Sequence, residues 1–166
     1  IFLKAKCRYC SHPISIRYPF VELITAIFFS LCLLGNGWNE KVSLGFYGVI
    51  CGWILVSYLI VLTFIDIKVL WLPSKVTNSG ILLGLFIFAL QFIQDDNSEN
   101  FLIFTNHLIA TLIIFIGLRG FSYITKSIVK KDILGLGDAN LMAMAGAWLG
   151  TSGIEIVAIL SILFAG

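Results

Sequence analysis

Long apolar runs with very few charged residues constrain this sequence more than any other feature. The runs cover residues 20–34, 44–65, 76–93, 101–118, 139–149 and 154–164, and Glu22 and Glu155 are their only charged residues. A helix needs about 20 apolar residues to cross a bilayer, and its backbone groups must pair within the segment. We therefore predict an all-α fold, a polytopic transmembrane bundle of about six helices.

Charge content excludes several other classes of protein. Only 12% of the 166 residues are charged, and 59% are hydrophobic. A soluble domain carries about 25% charged residues, so this chain lacks the polar surface that a soluble enzyme needs. The composition also excludes a disordered chain and gives no indication of a nucleic-acid partner. The lipid bilayer is the predicted surrounding.

Basic residues are concentrated in alternate loops. Ten of the eleven Lys and Arg residues lie in three segments, residues 1–19, 66–75 and 119–138, and Lys41 is the exception. Loops rich in Lys and Arg face the cytoplasm. We therefore predict a cytoplasmic segment at residues 1–19, followed by a transmembrane domain at residues 20–166 that is truncated at its C-terminus. The fourth run is expected to continue through residues 121–129 as an interfacial helix.

Glycine pairs with four-residue spacing occur in three of the runs. They are Gly48 with Gly52, Gly80 with Gly84, and Gly146 with Gly150. Small residues at this spacing let helix backbones approach closely in lipid. Each pair is therefore a candidate helix contact.

Two aspartates lie at the predicted cytoplasmic edge of the bilayer. Asp66 ends the second run, and Asp138 begins the fifth after Gly135 and Gly137. An ionisable residue in a membrane span indicates a functional site. Two carboxylates that share a site can hold one proton between them, so that one activates water while the other donates to a carbonyl oxygen. The glycines are expected to allow a sharp turn and a close approach by a substrate backbone.

Three other interpretations of the aspartates stay open. Asp138 can cap the N-terminus of its helix, where the helix dipole favours an acid. Asp66 can form an interfacial ion pair with Lys68. The two carboxylates together can also hold a divalent cation such as Mg²⁺.

Several segments resemble the bacterial type IV prepilin peptidase family. Gly135-Leu-Gly-Asp138 resembles the Gly-x-Gly-Asp signature of intramembrane aspartyl proteases, and residues 138–150 match the family segment that follows it. Residues 65–77 resemble the first aspartate motif of the family. Residues 7–22 resemble its cytoplasmic segment, with a Cys-x-x-Cys pair and the run Ile-Ser-Ile-Arg-Tyr-Pro-Phe-Val-Glu.

The resemblance implies a membrane aspartyl endopeptidase with Asp66 and Asp138 as catalytic residues. Its partners would be type IV prepilins or pseudopilins, cleaved after a Gly that ends a short basic leader. The site would face the cytoplasm at the bacterial inner membrane, and proteolysis would need no cofactor. Many members also methylate the new N-terminus with S-adenosylmethionine, an activity linked to the N-terminal region and to Glu22.

Two positions depart from the family pattern. Ser74 stands where an Asp often follows Leu-Pro, and Asn140 stands where a Lys usually lies two residues after the second aspartate. Neither change removes a carboxylate, although the loss of the Lys is expected to alter the aspartate pair or its hold on the leader. A methyltransferase-only relative and a non-proteolytic membrane assembly or transport protein are therefore the alternatives.

The cysteines suggest half of a metal site. Cys7 and Cys10 form a Cys-x-x-Cys pair with His12 nearby, and a structural zinc needs about four ligands. The family often has an earlier Cys pair, so a complete zinc site would need residues outside this sequence. Cys32 and Cys51 lie in apolar runs and are interpreted as buried hydrophobic residues. His107, within the fourth run, is interpreted as a packing residue.

Overall fold

The computed structural model describes residues 10, 15–37, 45–94, 98–129 and 135–165, in which all regular secondary structure is helical. The five helices are α1 (Arg17–Gly37), α2 (Gly45–Val69), α3 (Ser74–Gln94), α4 (Ser98–Val129) and α5 (Leu136–Ala165). Each contains a segment long and apolar enough to cross a membrane. The prediction of an all-α, polytopic membrane protein is confirmed.

The chain forms two compact units, Ile1–Thr63 and Phe64–Gly166. In the first unit, the ring of Phe29 in α1 stacks on Trp53 of α2 with centroids 5.4 Å apart. The Trp53 indole N–H donates to the Phe29 carbonyl oxygen at 3.1 Å. A Cβ added at Gly52 would lie 3.0 Å from the Cys32 Sγ, so this glycine lies in a helix contact as its spacing predicted.

In the second unit, α5 packs against both α3 and α4. The indole of Trp148 in α5 lies over Gly84 of α3 and donates its N–H to the Gly80 carbonyl oxygen at 2.9 Å. On the other side of α5, Gly146 lies against the backbone of α4. A Cβ added at Gly146 would be 3.2 Å from the carbonyl carbon of Ala110. These glycines therefore make room for a large side chain in one contact and for a backbone in the other.

The two apolar runs at the C-terminus form one helix with a break inside it. Gly150 interrupts α5 with φ 66° and ψ −169°, values that are not helical. A positive φ is costly for residues with a Cβ, so glycine suits this position. The expected fifth and sixth helices are therefore the two halves of α5, which accounts for five helices where about six were predicted.

Two side chains of α4 pair the backbone groups that the break separates. In an unbroken helix the Thr151 N–H would donate to the Ala147 carbonyl oxygen. Instead, the Asn106 side-chain oxygen accepts from the Thr151 N–H at 3.3 Å and from the Thr151 hydroxyl at 2.7 Å. His107 donates from Nδ1 to the Ala147 carbonyl oxygen at 3.1 Å. A broken helix is tolerated in a membrane when neighbouring helices supply such partners.

His107 also stacks on Phe88 of α3, with ring centroids 3.9 Å apart. Its ring is thus held by α3 on one face and by the α5 backbone at one nitrogen. This placement agrees with the interpretation of His107 as a packing residue.

The fourth run continues as one helix through residues 121–129, as predicted. Helix α4 has 32 residues, so its length at the usual rise is about 48 Å. That exceeds the hydrocarbon thickness of about 30 Å. The last turns of α4, with Arg119 and Lys126, are therefore long enough to reach polar surroundings.

Candidate functional site

A cavity of about 770 Å³ lies in the second unit, bounded by the ends of α2 and α4 and the starts of α3 and α5. A water molecule takes up about 30 Å³ in the liquid, so the cavity has room for a stretch of peptide together with water. All four residues predicted for the peptidase site line it: Asp66, Gly135, Gly137 and Asp138. The structure therefore brings together two acids that are 72 residues apart in the sequence.

Asp66 occupies the last turn of α2, where the chain leaves the helix abruptly. Its carbonyl oxygen accepts the Leu70 N–H at 2.7 Å, and Leu70 adopts a φ of 51°. A positive φ is uncommon for a residue with a Cβ and indicates local strain. The chain then passes Pro73, whose carbonyl oxygen accepts the Val76 N–H at 3.0 Å at the start of α3. This short connection leaves Asp66 at the cavity.

Asp138 lies in the first turn of α5, where the helix dipole favours a negative charge. Its backbone N–H donates to the Gly135 carbonyl oxygen at 3.1 Å. The carboxylate lies beside Gly135, since a Cβ added there would be 3.0 Å from Asp138 Oδ2. Gly135 thus provides the space that this carboxylate occupies.

Gly137 provides space for a different neighbour. A Cβ at this position would lie 2.9 Å from the Cβ of Leu72, which is only 7% exposed. The loop after Asp66 therefore packs directly on the start of α5. Gly137 lies inside α5, and residues 130–134 lie outside the described part of the chain, so the expected sharp turn before Asp138 stays a prediction. Close packing is the reason for glycine at both positions.

The structure does not support a helix cap at Asp138 or an ion pair between Asp66 and Lys68. Helix α5 begins at Leu136, so Asp138 is its third residue and not its N-cap. Over residues 15–37, 45–94, 98–129 and 135–165, neither carboxylate has a hydrogen-bond or ion-pair partner. The ion pair of Asp66 with Lys68 is therefore not formed. The carboxylates thus line the cavity without a structural partner among the described residues.

The metal-site hypotheses find no cluster within the described part of the chain. It holds no group of three or more His, Cys, Asp or Glu residues that could bind a metal ion. Cys10 is exposed with a free thiol. Cys7 and His12 lie outside the described residues.

Polar residues of α4 also line the cavity. Arg119, Tyr123 and Lys126 line the cavity at helical spacing, together with Ser122. Residues at such spacing share one face of a helix. From the sequence, Arg119 and Lys126 are interpreted only as part of the basic segment 119–138, with residues 121–129 as an interfacial helix. The spacing of these polar residues at the end of an apolar run was the signal that could have identified the face.

Arg119 is held in place by two neighbours. Its Nη2 donates to Asn140 Oδ1 at 3.1 Å, and its guanidinium carbon lies 4.1 Å from the centroid of the Phe115 ring. Asn140 is 1% exposed, so this amide anchors the arginine from inside the helix bundle of the second unit.

Two exposed aromatic residues also line the cavity. Trp71 and Tyr123 both line it and are 64% and 78% exposed. Trp and Tyr are enriched where the hydrocarbon meets the headgroups of a bilayer. The cavity therefore has the side chains of a site at the membrane surface.

Comparison with known families gives two matches along the chain. Residues 53–166 match the type IV leader peptidase family, and residues 1–35 match the bacterial Peptidase A24 N-terminal domain. The first match contains the whole cavity described above. No solved structure matches the chain.

Curated relatives share about a third of their residues with the chain. A prepilin leader peptidase/N-methyltransferase of Myxococcus xanthus (strain DK1622) is 36% identical over 89% of the chain and 39% of the relative. One of Neisseria gonorrhoeae is 34% identical over 98% of the chain and 52% of the relative. A type 4 prepilin-like proteins leader peptide-processing enzyme of Escherichia coli O78:H11 is 31% identical over 97% of the chain and 55% of the relative. The chain thus spans about half the length of these relatives or less.

Proposed function

Because the chain belongs to the type IV leader peptidase family, we propose that it carries the catalytic site of a membrane endopeptidase that cleaves the leader from type IV prepilins or pseudopilins. The observation that carries this proposal is the shared cavity of Asp66 and Asp138. The two acids come from the end of one apolar helix and the start of another. Loop packing at Gly137 and Leu72 joins these two elements.

The chemistry is that of a carboxylate pair with one shared proton. The ionised carboxylate takes a proton from water, whose oxygen attacks the scissile carbonyl carbon. The protonated carboxyl donates its proton to the carbonyl oxygen, which gives a neutral tetrahedral intermediate. As this intermediate collapses, the C–N bond breaks and the carboxyl that took the proton from water donates it to the leaving amine. The other carboxylate takes a proton back from a hydroxyl of the intermediate, which restores the pair. No covalent intermediate with the enzyme forms.

The substrate reaches the site from the membrane. A prepilin carries an apolar helix that can lie in the bilayer beside the helices of the enzyme, with its leader at the membrane surface. Trp71 and Tyr123 indicate that the cavity lies at this depth. The basic loops favour a cytoplasmic position for the site, at the inner membrane of a bacterium.

N-methyl transfer is the second activity in the names of several relatives, and we propose it for the complete protein, with S-adenosylmethionine as the methyl donor. The resemblance links this activity to the N-terminal region. The described part of the segment before residue 20, Cys10 and residues 15–19, is exposed throughout and does not form a site that fits this cofactor.

A structural zinc is likewise a hypothesis for the complete protein. Cys7 and Cys10 supply two of about four ligands that such a site needs. The remaining ligands would come from outside the described residues. The described residues by themselves therefore do not fit zinc.

Replacement of either aspartate tests the peptidase. In the complete protein, reconstituted in membranes with a purified type IV prepilin, Asp66→Asn and Asp138→Asn are each expected to slow leader cleavage at least about 100-fold. Mass spectrometry of the prepilin measures the cleavage. A matched control is Glu155→Gln, which neutralises an exposed acid of α5 away from the cavity. This control is expected to cleave at the unchanged rate.

The same experiment distinguishes the alternatives. Cleavage that persists in Asp66→Asn would contradict the carboxylate pair, whereas no cleavage by the parent protein would favour a non-proteolytic assembly or transport role. Loss of cleavage with retained methylation of a pre-cleaved pilin would support the peptidase assignment and separate the two activities.

A further inference from the structure

Arg119 is a permanent positive charge in a cavity that also holds two carboxylates. It lines the cavity together with Asp66 and Asp138. Arginine keeps its proton in proteins. The other titratable groups on the cavity wall are Lys126 and Tyr123, both from α4.

The guanidinium of Arg119 is held in one orientation. Asn140 Oδ1 accepts from Nη2 at 3.1 Å, and the Phe115 ring lies against the guanidinium with 4.1 Å between its carbon and the ring centroid. Asn140 belongs to α5 and follows Asp138 by two residues. The contact therefore ties the cation to the helix turn that carries one of the two acids.

We propose that Arg119 is a positioning residue of the peptidase site, whose fixed positive charge stabilises the single negative charge that Asp66 and Asp138 share. This inference rests on the proposed peptidase function. Charges that are already oriented stabilise a reacting site without having to reorganise during the reaction. Arg119 acts through the aspartates and needs no contact with the substrate.

The departure at position 140 is explained by the same geometry. An uncharged Asn at this buried position accepts a hydrogen bond from Arg119 and so brings a cation from α4 to the start of α5. A lysine at position 140 would place a positive charge on α5 directly. The positive charge of this site is therefore supplied by Arg119 of α4. A substitution can move it from position 119 to position 140.

A purely structural role for Arg119 is the competing explanation. In that case the arginine serves only to satisfy the amide oxygen of buried Asn140, and any hydrogen-bond donor of suitable length replaces it. A structural role and an electrostatic role differ in whether the charge itself is required.

Three substitutions separate charge from hydrogen bonding. Arg119→Lys keeps the charge, Arg119→Gln keeps a donor without the charge, and Arg119→Met keeps neither. The double variant Arg119→Met with Asn140→Lys moves the cation from α4 to α5. Each is measured in the complete protein with a purified prepilin, as kcat and KM, and thermal unfolding in detergent reports whether each variant is folded. Lys75→Gln, which removes an exposed cation that does not line the cavity, is the matched control.

An electrostatic role predicts a loss confined to kcat. We expect Arg119→Gln and Arg119→Met to lower kcat about 10- to 100-fold with KM nearly unchanged. Arg119→Lys is expected to stay within about threefold of the parent protein, and the double variant to recover at least about tenfold over Arg119→Met. Lys75→Gln is expected to match the parent.

The opposite results overturn the inference. A folded Arg119→Gln variant as active as the parent shows that the charge is dispensable, and a loss confined to KM shows that Arg119 binds substrate instead. A folded double variant that is no more active than Arg119→Met also overturns the inference, because the charge moved to position 140 then has no effect. If the double variant does not fold, the comparison of Arg119→Lys with Arg119→Gln still shows whether the charge is required, and equal kcat values for the two would overturn the inference. In all these cases the parent protein cleaves and Asp66→Asn does not, whereas failure of the peptidase proposal would show as cleavage by Asp66→Asn or none by the parent.

Discussion

Two places in the second unit interrupt the helices, and their polar groups are paired in different ways. At Gly150 the break separates the Thr151 N–H from the Ala147 carbonyl oxygen, and Asn106 and His107 of α4 bind one group each. At the cavity, α2 ends after Asp66 and α5 begins just before Asp138. There, the carboxylates have no partner among the residues that the structure describes.

The comparison separates a structural break from a functional one. Polar groups that are paired inside a membrane protein stabilise the fold, whereas acids that face an open cavity are expensive and indicate a site. Substitutions near Gly150 should therefore change stability and leave the chemistry nearly intact. Substitutions at the cavity should change activity more than stability.

The largest expected effect in this comparison, after those at the aspartates themselves, is at Gly137. In Gly137→Ala the new Cβ lies within 2.9 Å of Leu72 Cβ, so the loop after Asp66 must move relative to Asp138. A displacement of about 1 Å in a reacting group can cost about 100-fold in rate. We expect a loss of that order in prepilin cleavage.

Gly117→Ala is the matched control for this substitution. It also adds a methyl group to a glycine of the second unit, but nothing lies within 4 Å of the added Cβ. Cleavage at the parent rate by both variants would show that the contact between Gly137 and Leu72 does not position the aspartates.

A smaller effect of another kind is expected at Asn106. Asn106→Leu leaves the Thr151 N–H without its acceptor at the break in α5. Hydrogen bonds between membrane helices contribute about 1 kcal/mol, so the free energy of unfolding should fall by about that amount. Titration with a denaturing detergent, followed by circular dichroism, measures it.

The cleavage rate of Asn106→Leu should stay within about threefold of the parent, since threefold corresponds to less than 1 kcal/mol of barrier. Thr105→Val is the control, because the Thr105 hydroxyl bonds only to the backbone of its own helix at Phe101 and Leu102. A large loss of activity without loss of stability in Asn106→Leu would contradict the distinction between the two breaks.

The smallest effect is expected at Trp148, which lies two residues before Gly150 and whose indole bonds to α3. Trp148→Phe removes the indole N–H that donates to the Gly80 carbonyl oxygen and keeps an aromatic ring over Gly84. The expected loss is about 0.5–1 kcal/mol of unfolding free energy, with unchanged cleavage. A loss of several kcal/mol in the same detergent titration would show that the packing of the indole outweighs its hydrogen bond.

Much of the fold could be predicted because hydropathy is a local property. The apolar runs predicted a helical bundle of about six spans, of which the last two are the halves of α5. The predicted residues Asp66, Gly135, Gly137 and Asp138 all line the cavity. The sequence singled out the two glycines but not the contacts that they make. Gly137 gives space to Leu72, and Gly135 gives space to the Asp138 carboxylate. Contacts of that kind depend on a neighbouring element that the local sequence does not specify.

The sequence by itself determined that the chain is helical and membrane-embedded, because apolar segments without charges must pair their backbone groups internally. It also singled out Asp66 and Asp138, because charges are so scarce that an acid at the end of a span is conspicuous. Only the tertiary structure decided that α4 pairs the broken backbone of α5 and that Arg119 bonds to Asn140. These contacts join helices through side chains of particular length and direction, which become defined only when the helices are packed.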